Sequence, residues 1–429
     1  MVGRLGWGVA DQAVSSLGNF ALGLYAARTF GAASFGAFSL AFVTYTVVLN
    51  ASRGIATDPL LVRHSGSEGD TWRRSAASAS GTALVVGAAG AALSILVGLV
   101  MPDPVGSAFV ALGVGLPGLM LQDSWRFCFF AGRRSSSAFL NDVVWGLLLV
   151  GVLAAMDHTG ARSMFRCLIA FGLTALASAV FGVAQARVVP RPLRAAAWLR
   201  EHRQLAGRYL IENVSASGAS QIRSSVLGAV AGLAPVGYVR SAEMLMGPFA
   251  VVLMGVSQVA VPEASRVFHR TPRRLGQFCL AVGGVQAVAA FAWGAVLLLV
   301  LPHGLGELML GRLWGTASTL LPAVVLNVIA VCFSSAILSG LRAMGVSWRS
   351  LRAQLTASAA YVVGGTVGAF ADGALGTCWG VALANMAAAG LWWYHLRAAL
   401  ADHGRSALAA APDAEHAVPA PEPAPGGVG

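Results

Sequence analysis

The sequence predicts an all-α membrane protein of about twelve transmembrane helices, arranged as two six-helix lobes related as parallel repeats. Three observations lead there. Of 429 residues, 56% are hydrophobic and only 11% charged, against roughly 25% charged in soluble domains; a lipid bilayer is the solvent such a composition requires. Apolar runs of about 20 residues, enough to cross a ~30 Å hydrocarbon layer, recur along nearly the whole chain. Finally, ADQAVSSLGNFALGLYAARTFGAASFGAFSLA (Ala10 to Ala41) lies without a gap over IENVSASGASQIRSSVLGAVAGLAPVGYVRSA (Ile211 to Ala242). Asp11 then falls on Glu212, Gln12 on Asn213, Ser16 on Ser217, Gly31 on Gly232 and Gly36 on Gly237. An acid is costly inside a membrane, and its recurrence at one depth argues for duplication.

In chain order the predicted spans run from Leu5 to Arg28, Gly36 to Val62, Ala77 to Met101, Val105 to Phe130, Ala138 to Met156 and Met164 to Arg187. The second half repeats the count: Ala206 to Leu233, Gly237 to Val261, Leu275 to Leu301, Ala317 to Leu341, Ala353 to Phe370 and Leu375 to Leu396. The lobes are therefore residues 1–187 and 206–398. Residues 188–205 form a basic linker, whose spacing of Leu193, Trp198 and Leu199 among arginines predicts an amphipathic helix on the inner leaflet. Residues 399–429, rich in Ala and Pro, are expected to be a disordered cytoplasmic tail.

All 29 basic residues are arginine. They crowd into the loops after even-numbered spans, among them Arg73, Arg74, Arg133, Arg134, Arg270, Arg273, Arg342 and Arg349, while the opposite loops carry Arg28, Arg162 and Arg312. The positive-inside bias then puts both termini in the cytoplasm and the chain in the plasma (inner) membrane. The net charge of +11 reads as topology and attraction to anionic lipid. Dispersed over many loops, it gives no patch for nucleic acid. The first run is full length and lacks a small-residue cleavage site, so it is read as a retained span. The five cysteines stand singly within or beside apolar runs and read as buried hydrophobes.

Polar residues at helical spacing mark the candidate substrate-binding sites. Asp11, Gln12, Ser15, Ser16 and Asn19 share one arc of the first span. In its repeat, Glu212 and Arg223 share a face, with Asn213, Ser217, Ser220 and Ser224 beside it; Gln221 is on the same helix. The serines fit either close helix packing or a cavity lining. The charged residues point to a water-accessible cavity, because intramembrane charges are functional by default. Asn50 and Arg53 follow on the second span, with Asp58 near its inner end. At ~1.5 Å rise per residue, Asp11 and Arg53 lie at depths that a long side chain bridges. An Asp11–Arg53 pair is one expectation; Arg53 snorkelling or pairing with Asp58 is the other. Arg240 and Glu243 form an i, i+3 pair near the outer side, and Asp123 and Arg126 another near the cytoplasmic end of the fourth span. Asp58, Asp123, Arg126, Arg240 and Glu243 are the candidate entry or gating residues.

Catalytic chemistry has little support. GVGLPG (Gly113 to Gly118) matches a dinucleotide-binding pattern but lies inside an apolar run without a preceding strand. Without lysine there is no Walker A motif, and the eight histidines form no zinc pattern. The reading is a non-enzyme without cofactor or metal.

The turn TFGAASFGAFSLAF (Thr29 to Phe42), its echo AGLAPVGYVRSAEML (Ala231 to Leu245), LMLGRLWGTASTLLPAVV (Leu308 to Val325) and LSGLRAMGVSWRS (Leu338 to Ser350) together resemble the polysaccharide-transport branch of the multidrug/oligosaccharidyl-lipid/polysaccharide exporter superfamily, the Wzx-like O-antigen and teichoic-acid flippases. The resemblance covers the chain to about residue 400. It implies a bilobed, MATE-like bundle that moves a polyprenyl-pyrophosphate-linked saccharide between leaflets by alternating access. Its partners would be lipid-linked saccharide, membrane lipids and polysaccharide-assembly proteins. Arg53 and Arg223 are then the candidate phosphate contacts, with Asp11 and Glu212 balancing them or taking up a coupling proton. The chain lacks further helices after the twelfth, unlike lipid II flippases of the superfamily. A drug or cation antiporter of the same superfamily is the nearest alternative, and a membrane polymerase or ligase a second.

Overall fold

The computed structural model describes residues 2–415. They are helical almost throughout, with no strand among the described residues. The N-terminal half contains α1 (Val2–Thr29), α2 (Ala32–Ser52), a π-helical turn (Arg53–Thr57), α3 (Asp58–His64), α4 (Gly69–Val100), α5 (Val105–Ala131), α6 (Ser135–His158) and α7 (Met164–Ala186). The C-terminal half contains α8 (Ala195–Ala231), α9 (Leu233–Leu245), α10 (Gly247–Arg270), α11 (Leu275–Val300), α12 (Leu305–Leu310), α13 (Trp314–Ala343) and α14 (Ser347–Glu415). α14 is two arms folded back at Asp372 and Gly373, where φ is −154° and 49°. Counting α2–α3 and α9–α10 as one span each, and the arms of α14 separately, gives twelve membrane-length segments.

Eight of the helices are long and apolar enough to cross a membrane. α1, α8 and the α9–α10 pair are outside that set, and they carry the polar stripes read from the sequence. Small residues let the others approach closely. Within the α14 hairpin a Cβ on Gly368 would sit 2.0 Å from the Gly376 carbonyl oxygen, and one on Gly380 2.1 Å from that of Gly364.

Proline shapes the second span of each half. Pro59 has no N–H for the Ile55 carbonyl four residues back and crowds it. The chain widens there into the π turn, and the released Ile55 oxygen accepts the Trp198 indole N–H at 3.3 Å. In the second half Pro248 follows the break between α9 and α10, and the Trp293 indole donates to Leu245 O at 3.1 Å.

Trp198 makes α8 a shared element. It is buried with Leu60, Trp72, Trp125 and Phe129 of the N-terminal half, and the preceding backbone is pinned by Arg191 N–H to Ala77 O at 2.8 Å. The segment expected to lie on the leaflet is thus a 3-10 turn, Pro192–Arg194, plus the first turns of α8, which continue unbroken to Ala231. Trp198 and His202 are buried against the N-terminal half while Leu193, Leu199 and most of the arginines around them are exposed. At the other terminus α14 remains helical to Glu415, as the alanine-rich composition favours. The rest of the expected tail lies outside the described residues.

The lobes meet away from the arginine-rich loops, where α2 crosses α9. A Cβ on Gly36 would lie 1.9 Å from Leu233 O, and one on Gly237 2.7 Å from Ala32 O. Gly36 and Gly237 are partners in the sequence repeat, as are Ala32 and Leu233, so the crossing is pseudo-symmetric. Gly36→Val or Gly237→Val is expected to destabilise the purified protein by about 1–3 kcal/mol through overpacking. Thermal unfolding in detergent, compared with the exposed control Gly315→Val, checks this.

Candidate functional site

Two polar clusters stand inside the bundle. In the N-terminal lobe, the π turn holds Arg53 against α5. Its Nε and Nη2 donate to the two oxygens of Asp123 at 3.0 and 2.6 Å, and its guanidinium lies 5.1 Å from the Phe127 ring centroid. One turn along α5, Arg126 donates to Asp11 on α1 and, at 3.0 Å, to Gln12 Oε1. Asp142 on α6 comes within 3.8 Å of Arg126 and accepts from Gln122 Nε2 at 2.8 Å. Asn141 continues the chain to Ser178 O at 3.0 Å and Gln185 Oε1 at 3.1 Å on α7.

Asp11, Asp123, Arg126, Asn141 and Asp142 are all buried. Three carboxylates therefore face two guanidiniums, and one oxygen each of Asp11 and Asp142 lacks a hydrogen-bond partner. In a low-dielectric interior such charges persist only when paired across well-fixed geometry.

This pairing corrects two expectations. Asp11 binds Arg126 instead of Arg53, and Asp123 binds Arg53 instead of its own-helix neighbour Arg126. α5 stands between α1 and the π turn and supplies an acid to one side and a guanidinium to the other. An i, i+3 pair along one helix would have left Asp11 and Arg53 uncompensated.

The second cluster lies between the lobes. Arg223 on α8 donates to Glu243 on α9 at 2.8 Å and sits 5.4 Å from the Tyr361 ring centroid. With Glu243 engaged there, the expected Arg240–Glu243 pair does not form. Arg240 instead lies over Phe42 of α2, 4.9 Å from its centroid, and its Nε has no hydrogen-bond partner.

Arg240 and Glu243 face a cavity of about 770 Å³ between the lobes, otherwise lined mostly by apolar and aromatic groups, among them Phe20, Phe42, Tyr45 and Met244. Asn19 lines it too, its Nδ2 donating to Ser15 O at 3.0 Å. A second inter-lobe cavity, of about 960 Å³, opens toward the arginine-rich loops. There Asn213 donates to Asp58 at 2.7 Å, Glu212 pairs with Arg342, and Asn50, Arg208 and Trp348 complete the wall. Gln221 donates to Ser225 of its own helix at 3.4 Å.

The structure thus brings most of the sequence candidates into one buried N-lobe network and two inter-lobe cavities, whereas Arg223 and Gln221 line neither cavity. Asp142, Arg342, Phe42 and Tyr361 were not among those candidates. Phe38, Phe42 and Tyr45, at i, i+4 and i+7, were a readable aromatic stripe; Arg342, 130 residues from its partner, left no local signal.

No protein-family model and no curated protein matches the sequence. Among solved structures, the inward-facing conformation of a multidrug resistance MATE family transporter of the MOP superfamily superposes with a TM-score of 0.71 at 16% identity, over 91% of this chain and 96% of that one. The fold is MATE-like. The lipid II flippase MurJ in an inward closed conformation gives 0.70 at 11% identity, over 91% and 87%. A MOP superfamily transporter from Pyrococcus furiosus, described as having a binding pocket of reversed polarity, gives 0.58 at 16%, over 93% and 95%. An outward-facing conformation of a multidrug resistance MATE family transporter gives 0.60 at 16%, over 94% and 96%.

Arg126→Ala leaves Asp11 and Asp142 as uncompensated buried charges and is expected to cost roughly 3–5 kcal/mol. Asp11→Asn combined with Arg126→Gln should be less damaging than the sum of the single changes. Thermal unfolding of the four proteins measures the coupling; strict additivity would contradict the pair.

Proposed function

We propose that this chain is a membrane flippase that carries a lipid-linked saccharide between leaflets by alternating access, for cell-surface polysaccharide assembly. The observation that supports it is the set of groups facing the central cavity. Arg240 offers a guanidinium whose Nε is unpartnered, in a chamber shared by both lobes. A guanidinium in an apolar surround needs an anion, and its planar fork matches phosphate. A polyprenyl-linked pyrophosphate supplies that anion, while its hydrocarbon tail stays in lipid. The MATE fold and the likeness to a lipid II flippase are consistent with this cargo.

Phosphate contact falls first to Arg240. Arg53 and Arg223 hold carboxylates in the present conformation and reach cargo only by exchanging those partners. Asp58, Glu212, Asn213, Asn50 and Arg342 line the chamber nearest the arginine-rich loops, where a cytoplasmic headgroup would enter. In the N-lobe network a single proton would balance three carboxylates against two guanidiniums. We assign the coupling step to Asp142 and Asp11, whose unbonded oxygens are available to carry it.

A drug antiporter is favoured by one feature, the aromatic and methionine lining of the central cavity. Arg240 separates the readings, because a cationic drug is repelled by it. In sealed right-side-out vesicles from the producing cells, an impermeant probe reports lipid-linked saccharide in the outer leaflet. Arg240→Ala should reduce that display at least about tenfold, the scale of one lost charge-assisted contact, with protein abundance unchanged. Undiminished display with raised drug sensitivity would establish the antiporter instead.

A further inference from the structure

We infer that the arginine-rich face of the N-terminal lobe carries a separate binding site for a phosphate-bearing anion. It is a cavity of about 600 Å³ where α4 begins, α5 turns into α6 and α7 ends. It shares no lining residue with either inter-lobe cavity, so it stands apart from the transport route.

Three arginines from three segments line it: Arg73 on α4, Arg134 in the α5–α6 turn and Arg187 after α7; the lining acid is Glu68. None of the three arginines forms an ion pair among the described residues. A residual charge of two is thus held in one concave place instead of being spread along the loops.

Arg134 is fixed before any ligand arrives. Its guanidinium rests 5.5 Å from the Trp72 ring centroid and 5.6 Å from that of Phe129, and one Nη donates to Gln185 O at 3.3 Å. A guanidinium has five N–H donors, so most of this fork remains free. Trp72 is itself buried and anchored by its indole N–H to Cys128 O at 2.8 Å, which makes the floor rigid. Arg187 is held in left-handed backbone geometry, φ 52° and ψ 42°, costly for a residue with a Cβ. A rigid aromatic floor with three arginines around one concavity suits phosphate better than carboxylate, because phosphate presents three oxygens to several forks at once. The phosphate can belong to an anionic phospholipid headgroup in the facing leaflet or to a soluble phosphate compound.

The test uses the full-length protein in neutral detergent, titrated with phosphatidylglycerol, phosphatidylcholine or inorganic phosphate while thermal unfolding and native mass spectra are recorded. Phosphatidylglycerol or inorganic phosphate should bind saturably and raise the unfolding temperature, whereas phosphatidylcholine should not. Arg134→Ala and Arg73→Ala, the latter an exposed residue whose loss leaves packing intact, should each weaken binding about tenfold or more. The control Arg270→Ala/Arg273→Ala, which removes two charges from the other lobe, should leave it unchanged. Response to the lipid alone identifies a lipid site, and response to phosphate alone a soluble ligand. Equal weakening by pocket and control variants would reduce the effect to general surface charge and overturn the site, as would no binding by either probe.

Discussion

The structure depends on the rule that a charge inside the bundle must be answered from another helix. Arg126 on α5 answers Asp11 on α1, Asp123 on α5 answers Arg53 at the π turn, and Arg223 on α8 answers Glu243 on α9. Breaking such a pair leaves a bare charge in low dielectric, which costs far more than the intact pair contributes. The pairs consequently act as positional constraints on α1, the π turn and α5 in one lobe and on α8 and α9 in the other. Where the answer is incomplete, at Arg240 and at the surplus carboxylate of the N-lobe network, the bundle has capacity left for a ligand or a proton.

A second constraint works through absence of side chain. Gly36 and Gly237 let α2 and α9 meet backbone to backbone at one end, while bulky aromatic and charged groups hold the lobes apart further along. The result is tight crossing at one end and hollow space toward the other. The crossing is pseudo-symmetric, so each half contributes an equivalent glycine and an equivalent facing backbone to it.

Much of this was legible in the sequence. The composition and the spacing of apolar runs give the twelve segments, and the gapless repeat aligns the two glycines that touch. The polar stripes mark α1 and α8 as interface helices, which is why those helices are too polar to pass as spans on composition. Pair assignments were not legible, because proximity along one helix is visible in sequence and proximity across helices is not. Arg53 illustrates the reason. Its depth followed from rise per residue, but its direction is set by a π turn that Pro59 imposes and that Trp198, 143 residues from Ile55, bonds. Sequence placed the boundary between halves in the basic linker, where charge and composition change; that Trp198 of this segment packs into the N-terminal core left no local signal.

That placement of α8 has a mechanical consequence. With 37 residues the helix is roughly 55 Å long at 1.5 Å per residue. One end is clamped by Trp198 in one lobe, and the other is committed by Arg223 to the opposite lobe. It is a long strut fixed at both ends, so any strain between the anchors falls on its middle. Between residues 212 and 218, Ser215 and Ser217 turn their hydroxyls back onto the carbonyls of Glu212 and Asn213, an arrangement that favours bending. A relative shift of the two anchors would bend the helix at that short stretch.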